Sequence, residues 1–128
     1  MFSHIVIGAD DVERSRKFYD AVLQPLGVSP GTMDSRGRAI YMTPQGLFVV
    51  TKPINGNAVS CANGSTIGFA ASSADAVDRW HAAGIAHGGT TCEDLPGWRD
   101  SEYGQLYAAY LRDPSGHKLC ALHRSAEG

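Results

Sequence analysis

The sequence is poor in the features that mark many well-known function classes. Its three cysteines, 61, 92 and 120, are an odd number with no C-x-x-C pair. That spacing argues against a disulfide framework and fits reduced thiols in a cytoplasmic protein. There is no excess of positive charge: 11 Lys and Arg stand against 13 Asp and Glu, a net charge of −2. Nucleic acid is therefore not an expected partner. The longest uninterrupted apolar run, Leu106 to Leu111, is far too short to span a bilayer, so no membrane partner is expected. The first ten residues lack a basic stretch followed by an apolar one, and no signal peptide is expected. G-x-S-x-G, G-x-G-x-x-G, the P-loop and H-E-x-x-H are all missing.

What remains is an ordinary globular composition, with 43% hydrophobic and 19% charged residues over 128 positions. That is enough for one core and too little for two independent domains. Phe2 to Gly8 reads as a strand because it is short and β-branched. Asp10 and Glu13 form a capping pair that starts a helix at Asp10 or Asp11. Val12, Tyr19, Val22 and Leu26 recur at helical spacing with Phe18 and Leu23 beside them, while Arg14, Arg16, Lys17 and Asp20 would face water. Pro25 and Gly27 end that helix. Val28 to Asp34 reads as a short irregular strand. Arg38 to Thr43 and Leu47 to Thr51 form a hairpin around Pro44-Gln-Gly46.

Pro53 to Ser65 is rich in Gly, Asn, Ala and Ser and reads as a linker. Thr66 to Ala71 is a second opening strand, followed by a helix capped at Ser72 or Ser73. Val77, Trp80 and Ala83 form its buried stripe, and Gly84 closes it. His87 to Cys92 can form a strand, Glu93 to Gln105 reads as a long loop, and Leu106 to Arg112 with His117 to His123 form the last hairpin. That hairpin turns on Asp113-Pro-Ser-Gly116, where Pro presets φ and Gly tolerates the left-handed region.

The halves repeat. At an offset of 62, Ile5 falls on Ile67, Lys17 on Arg79, Phe18 on Trp80 and Ala21 on Ala83. At an offset of 70, Thr43-Pro-Gln-Gly46 falls on Asp113-Pro-Ser-Gly116, and Val50 on Cys120. A repeat fixes the architecture: two strand-helix-strand-strand-strand units, each burying a sheet face. The boundaries are 1–52 and 66–124, joined by 53–65.

The His4-Ile-Val-Ile strand, the D-x-x-R-S-x-x-F-Y helix from Asp11 to Tyr19 and the D-P-x-G-H-K-L closing strand from Asp113 to Leu119 carry a resemblance along the whole chain. The sequence resembles the glyoxalase/bleomycin-resistance/extradiol-dioxygenase, or vicinal oxygen chelate, superfamily. The resemblance implies an α+β fold: two βαβββ modules forming a curled mixed sheet around a cleft, within a homodimer. It also implies metal positions on the first and last strands of each module, which correspond here to His4, Val50, Thr66 and Cys120. A valine and a hydroxyl cannot replace a carboxylate and an imidazole, so no metal site and no cofactor are expected; a divalent metal remains the alternative.

His4 is the candidate catalytic base. Cys120 is a candidate nucleophile beside it, against the plainer reading of a buried thiol. Ligand-binding candidates are His4, Val50, Thr66 and Cys120 as a floor, with Tyr41, Trp98, Tyr103 and Tyr107 as aromatic walls and mouth. Arg99 could pair a carboxylate ligand or simply be solvated; the other four histidines read as structural or solvated. The expected function is binding of a small organic molecule in the cleft without the usual metal set. The alternatives are a lyase or isomerase of the lactoylglutathione lyase type acting on a thiol adduct, or a sequestering protein of the bleomycin-resistance kind.

Overall fold

The computed structural model describes residues 1–125. Its chain runs β1 (His4–Gly8), α1 (Val12–Leu23), β2 (Thr32–Met33), β3 (Ala39–Thr43), β4 (Gly46–Thr51), β5 (Ile67–Ala70), α2 (Ala74–Ala86), β6 (Thr90–Thr91), β7 (Gly97–Ser101), β8 (Gly104–Arg112) and β9 (Lys118–Arg124). Hydrogen bonding divides the strands into two mixed sheets. The first has the order β1-β4-β3-β2. The second has β5-β9-β8-β6, with β7 also pairing β8. In both, the opening strand lies parallel to the closing one, and the remaining pairs are antiparallel. The chain is thus an α+β protein of two similar modules.

Local chemistry places the helices. Asp11 caps α1, its side chain accepting the Arg14 N–H at 3.0 Å. Its neighbour Asp10 has a different task, accepting the Val59 N–H of the connecting segment at 2.8 Å. A 3-10 turn at Gln24–Leu26 follows α1 and closes on Gly27 at φ +85, a left-handed conformation suited to glycine. Ser73 caps α2 by accepting the Ala76 N–H at 3.0 Å.

Five expectations change. The helix does not stop at Gly84 but runs on to Ala86; Gly84 is buried, and a Cβ there would lie 2.3 Å from Leu111 Cδ1. Close packing of α2 on β8, not helix termination, requires this glycine. The strand expected over 28–34 shrinks to Thr32–Met33, and that over 87–92 to Thr90–Thr91. The loop expected over 93–105 contains β7, which pairs with β8 from Gly97↔Ala108 to Ser101↔Gly104. A glycine followed by a single aromatic and three polar residues hid that strand, whose stability comes from its neighbour rather than its own propensity. Asp20, expected in water, is part-buried and accepts from Tyr41 Oη at 2.7 Å, the Gly31 N–H at 2.9 Å and Arg16 Nη1 at 3.0 Å.

One core serves both modules. Ile7, Phe18, Tyr19, Tyr41, Phe48 and Val50 from the first meet Val77, Trp80, Leu111, Leu119 and Ala121 from the second. Phe48 and Phe69 touch edge to face with centroids 5.5 Å apart. Tyr19 Oη donates to Asp113 Oδ2 at 2.5 Å, joining α1 to the last turn. Asp113 Oδ1 accepts the N–H groups of Ser115 and His117, and Gly116 sits at φ +99.

Candidate functional site

Each sheet has a face packed on the helices and an opposite, open face. On β1, Ile5 and Ile7 pack inward, while His4 and Val6 are exposed on the other side. On β9, Leu119 and Ala121 belong to the core, which leaves Cys120 and Leu122 on the open face. On β4, Phe48 and Val50 belong to the core, so the open face takes Leu47, Val49 and Thr51.

Val50 is therefore not a cleft residue. The pairings explain the error. Val6 lies beside Val49 in the first sheet, and Gly68 beside Cys120 in the second. Because Val6 and Gly68 correspond at an offset of 62, the counterpart of Cys120 is Val49. Met42 and Leu47 pair across four residues, whereas their counterparts Arg112 and Lys118 pair across five. The second turn is one residue longer, and a one-residue slip flips every side chain of the strand beyond it.

Most of the other candidates disperse. Tyr41 is buried in the core with its hydroxyl on Asp20, and it borders the hollow that His4 lines. Tyr107 packs against the helix-side core and donates to Asp78 Oδ1 of α2 at 2.6 Å. Its cross-strand partner Trp98 stacks edge-on against it at 5.3 Å and lies near His123. This pair is on the helix side, opposite Cys120. Tyr103 stands exposed at the tip of the β7–β8 hairpin, and Thr66 is exposed just before β5.

His4 and Cys120 are in different sheets and line two hollows that adjoin at Gly68 and Phe69, and no hydrogen bond links their side chains among the described residues. His4 lines a hollow of about 230 Å³ with Phe2, Gly46 and Gly68, and shares a 2.7 Å hydrogen bond with Ser3 Oγ. Cys120 lines another of about 550 Å³ with Ala70, Leu122 and His123. Burial pushes the Cys120 thiol up, against the opposing effects of the Tyr110 hydroxyl, Arg99 and Lys118. Such a thiol is protonated at neutral pH and is a poor nucleophile.

The charged groups of the second open face are already engaged. Arg99 donates to the carbonyls of Gly97, Ala108, Asp94 and Leu95. Lys118 is ion-paired with Glu93. Both cations also approach the Tyr110 ring, at 5.6 and 5.2 Å.

The largest polar hollow near β1 involves residues that sequence reasoning passed over. A cavity of about 610 Å³ at the ends of β1 and β4 is lined by Val6, Arg36, Arg38, Thr51 and Lys52, and by the connecting segment around Ile54 and Val59. A sequence signal for it existed: no acidic residue occurs between Asp34 and Asp75, while Arg36, Arg38 and Lys52 fall in that interval.

Among the described residues, no three His, Cys, Asp or Glu side chains cluster in a way that could hold a metal ion. Among the described residues, the candidate positions on the open faces offer the His4 imidazole and the protonated Cys120 thiol, with no carboxylate at the positions of Val49 and Cys120. This donor set does not fit the metal of the oxygen-chelate resemblance.

No curated protein matches the chain at a significant level. Solved structures do. A glyoxalase/bleomycin resistance protein from Albidiferax ferrireducens T118 is 56% identical, with a TM-score of 0.94, over 97% of this chain and 99% of that one. A glyoxalase/bleomycin resistance protein/dioxygenase family enzyme from Burkholderia phytofirmans PsJN is 18% identical, with a TM-score of 0.73, over 96% and 98% of the two chains. A lactoylglutathione lyase from Agrobacterium tumefaciens is 16% identical, with a TM-score of 0.65, over 96% and 92%; these two comparisons speak for the fold alone. The family model described as Glyoxalase/Bleomycin resistance protein/Dioxygenase superfamily matches residues 1–121. With its paired modules and closing D-P-x-G-H-K-L strand, this chain belongs to the glyoxalase/bleomycin resistance protein/dioxygenase superfamily.

Proposed function

We propose that this protein binds a small organic molecule on its open sheet faces and works without the metal set of its metal-dependent relatives. The observation that carries this reading is an intact family scaffold whose open faces present hollows of ligand size but an erased donor set. A homodimer belongs to the same proposal. Met42, 75% exposed, is an apolar side chain on the first sheet's open face that a second copy would cover. Three free thiols, at Cys61, Cys92 and Cys120, support a cytoplasmic setting.

The lyase alternative asks more of the site. A proton-transfer mechanism would need His4 oriented and charge-stabilised, yet its recorded partner is the Ser3 hydroxyl and no carboxylate hydrogen-bonds it among the described residues. A thermal-shift screen of small metabolites and divalent metals, with turnover assayed for every hit, tests the proposal. Stabilisation by an organic ligand without product is the expected result. A stoichiometric metal found by elemental analysis of protein purified without chelator would refute the metal-free reading.

A further inference from the structure

Resting on the small-molecule reading above, we infer that the cavity beside β1 and β4 is an oxyanion-recognition site, taking a small organic carboxylate or phosphate ester with an apolar body. Arg36, Arg38 and Lys52 line it, and no acidic side chain does. Among the described residues, the side chains of Arg36 and Lys52 make no recorded hydrogen bond or ion pair. Arg38 commits only Nε, which donates to Asp34 Oδ2 at 2.6 Å, leaving both Nη groups available.

The two carboxylates closest to the cavity, Asp34 beside the arginines and Asp10, which lines an adjoining hollow with Lys52, are both hydrogen-bonded. Asp34 Oδ1 accepts the N–H groups of Arg36 and Arg38, both at 2.9 Å, and so fixes the turn that delivers the two arginines. Asp10 accepts from the connecting segment at Val59. Two unpaired cations, Arg36 and Lys52, together with Arg38, whose charge is shared with Asp34, focus a positive potential on one concavity in a chain whose net charge is −2. A guanidinium with two free Nη groups matches the paired oxygens of a carboxylate or phosphate. Val6, Pro53 and Val59 supply the apolar wall for the rest of the molecule. At about 610 Å³ the hollow suits a small molecule.

The test is isothermal titration calorimetry of the full chain with benzoate, phenyl phosphate, inorganic phosphate and the neutral benzamide. Benzoate or phenyl phosphate is expected to bind at least about tenfold more tightly than benzamide, with affinity falling as salt rises. Whichever of the two is preferred identifies the head group. Arg36→Gln and Lys52→Gln are each expected to weaken that binding about fivefold or more, because each removes one charge-assisted contact. Lys17→Gln on α1 should leave it unchanged. Neither cavity variant breaks a recorded intramolecular contact, so both should melt like the parent. Arg38→Gln is the less clean variant, since it also opens the Asp34 clamp.

Benzamide binding as tightly as benzoate, or unchanged affinity in Arg36→Gln and Lys52→Gln, overturns the oxyanion assignment and leaves small-molecule binding standing. Inorganic phosphate binding as tightly as phenyl phosphate overturns the apolar-body part. Absence of binding by all four probes overturns the assignment outright, whatever the broader metabolite screen returns.

Discussion

The two open sheet faces descend from one repeated plan, yet their charges are used in opposite ways. On the second face, Arg99 is spent on four backbone carbonyls and Lys118 on Glu93. On the first, Arg36 and Lys52 have no recorded partner among the described residues, and Arg38 keeps most of its donors. The extra chain of the second module explains the difference. It folds as β7, and the carbonyls it brings to the edge of β8 need donors, which Arg99 supplies. A cation that satisfies its own fold has little left for a ligand. The first face is therefore the one equipped to recognise charge.

The largest effects are expected where a charge is placed on the core side of a closing strand. Val50→Glu should cost more than about 4 kcal/mol or abolish folding, because it places a charge among Phe18, Tyr41 and Ala109 in the shared core. Ala121→Glu, its counterpart in the second module, should do the same. Val6→Glu, on the open side and 51% exposed, should cost at least about 2 kcal/mol less in urea unfolding. Equal losses at 6 and 50 would show that the strand faces have been assigned wrongly.

The two closing turns offer a smaller contrast. Tyr19→Phe strips a donor from buried Asp113 and should cost about 1–3 kcal/mol. Thr43→Val in the first turn removes the side-chain contacts to the Gly46 carbonyl and the Gln45 N–H, and should cost about 0.5–1.5 kcal/mol. If the order were reversed in denaturation curves, the buried Tyr19–Asp113 link would not be the stronger clamp.

The same tyrosine sets a pH limit. Burial, then the Asp113 carboxylate, holds the Tyr19 hydroxyl well above the usual phenol range; burial and Asp20 do the same for Tyr41. Both hydroxyls ionise more readily in the unfolded chain, at about pH 10. Their contribution is thus complete below that pH and is lost progressively above it. Chemical unfolding between pH 8 and pH 11 should show falling stability, with a shallower fall in the Tyr19→Phe/Tyr41→Phe double variant. A slope unchanged by the substitutions would shift the cause to other groups.

The smallest effect comes from releasing Lys118. Glu93→Gln should alter stability by no more than about 1 kcal/mol. It should also bring the acylation rate of Lys118 by an amine reagent close to that of Lys52. In the parent chain Lys52 should react faster; equal rates there would remove the distinction between engaged and available cations.

Much of the fold was legible because its signals are local. Caps at Asp10 or Asp11 and at Ser72 or Ser73 (the structure uses Asp11 and Ser73), Gly27 as a stop, Asp113-Pro-Ser-Gly116 as a turn and the spacing of Val12, Tyr19 and Val22 all follow from interactions within a few residues. The site was far less legible. Tyr41 and Tyr107 carry polar tips that suit a pocket equally well, but both hydroxyls are satisfied by carboxylates remote in sequence, Asp20 and Asp78. Cys120 and Val50 matched by turn chemistry, yet a turn longer by one residue sends them to opposite faces.

The sequence by itself determined the repeated α+β plan and where its helices begin, since residue identity and short-range spacing suffice for these. Tertiary structure decided which side of each strand meets the core and which cations remain unpaired. Side-chain direction alternates with period two, so it depends on register across strands. An ion's partners lie wherever the chain returns in space, and neither can be read from a residue and its neighbours alone.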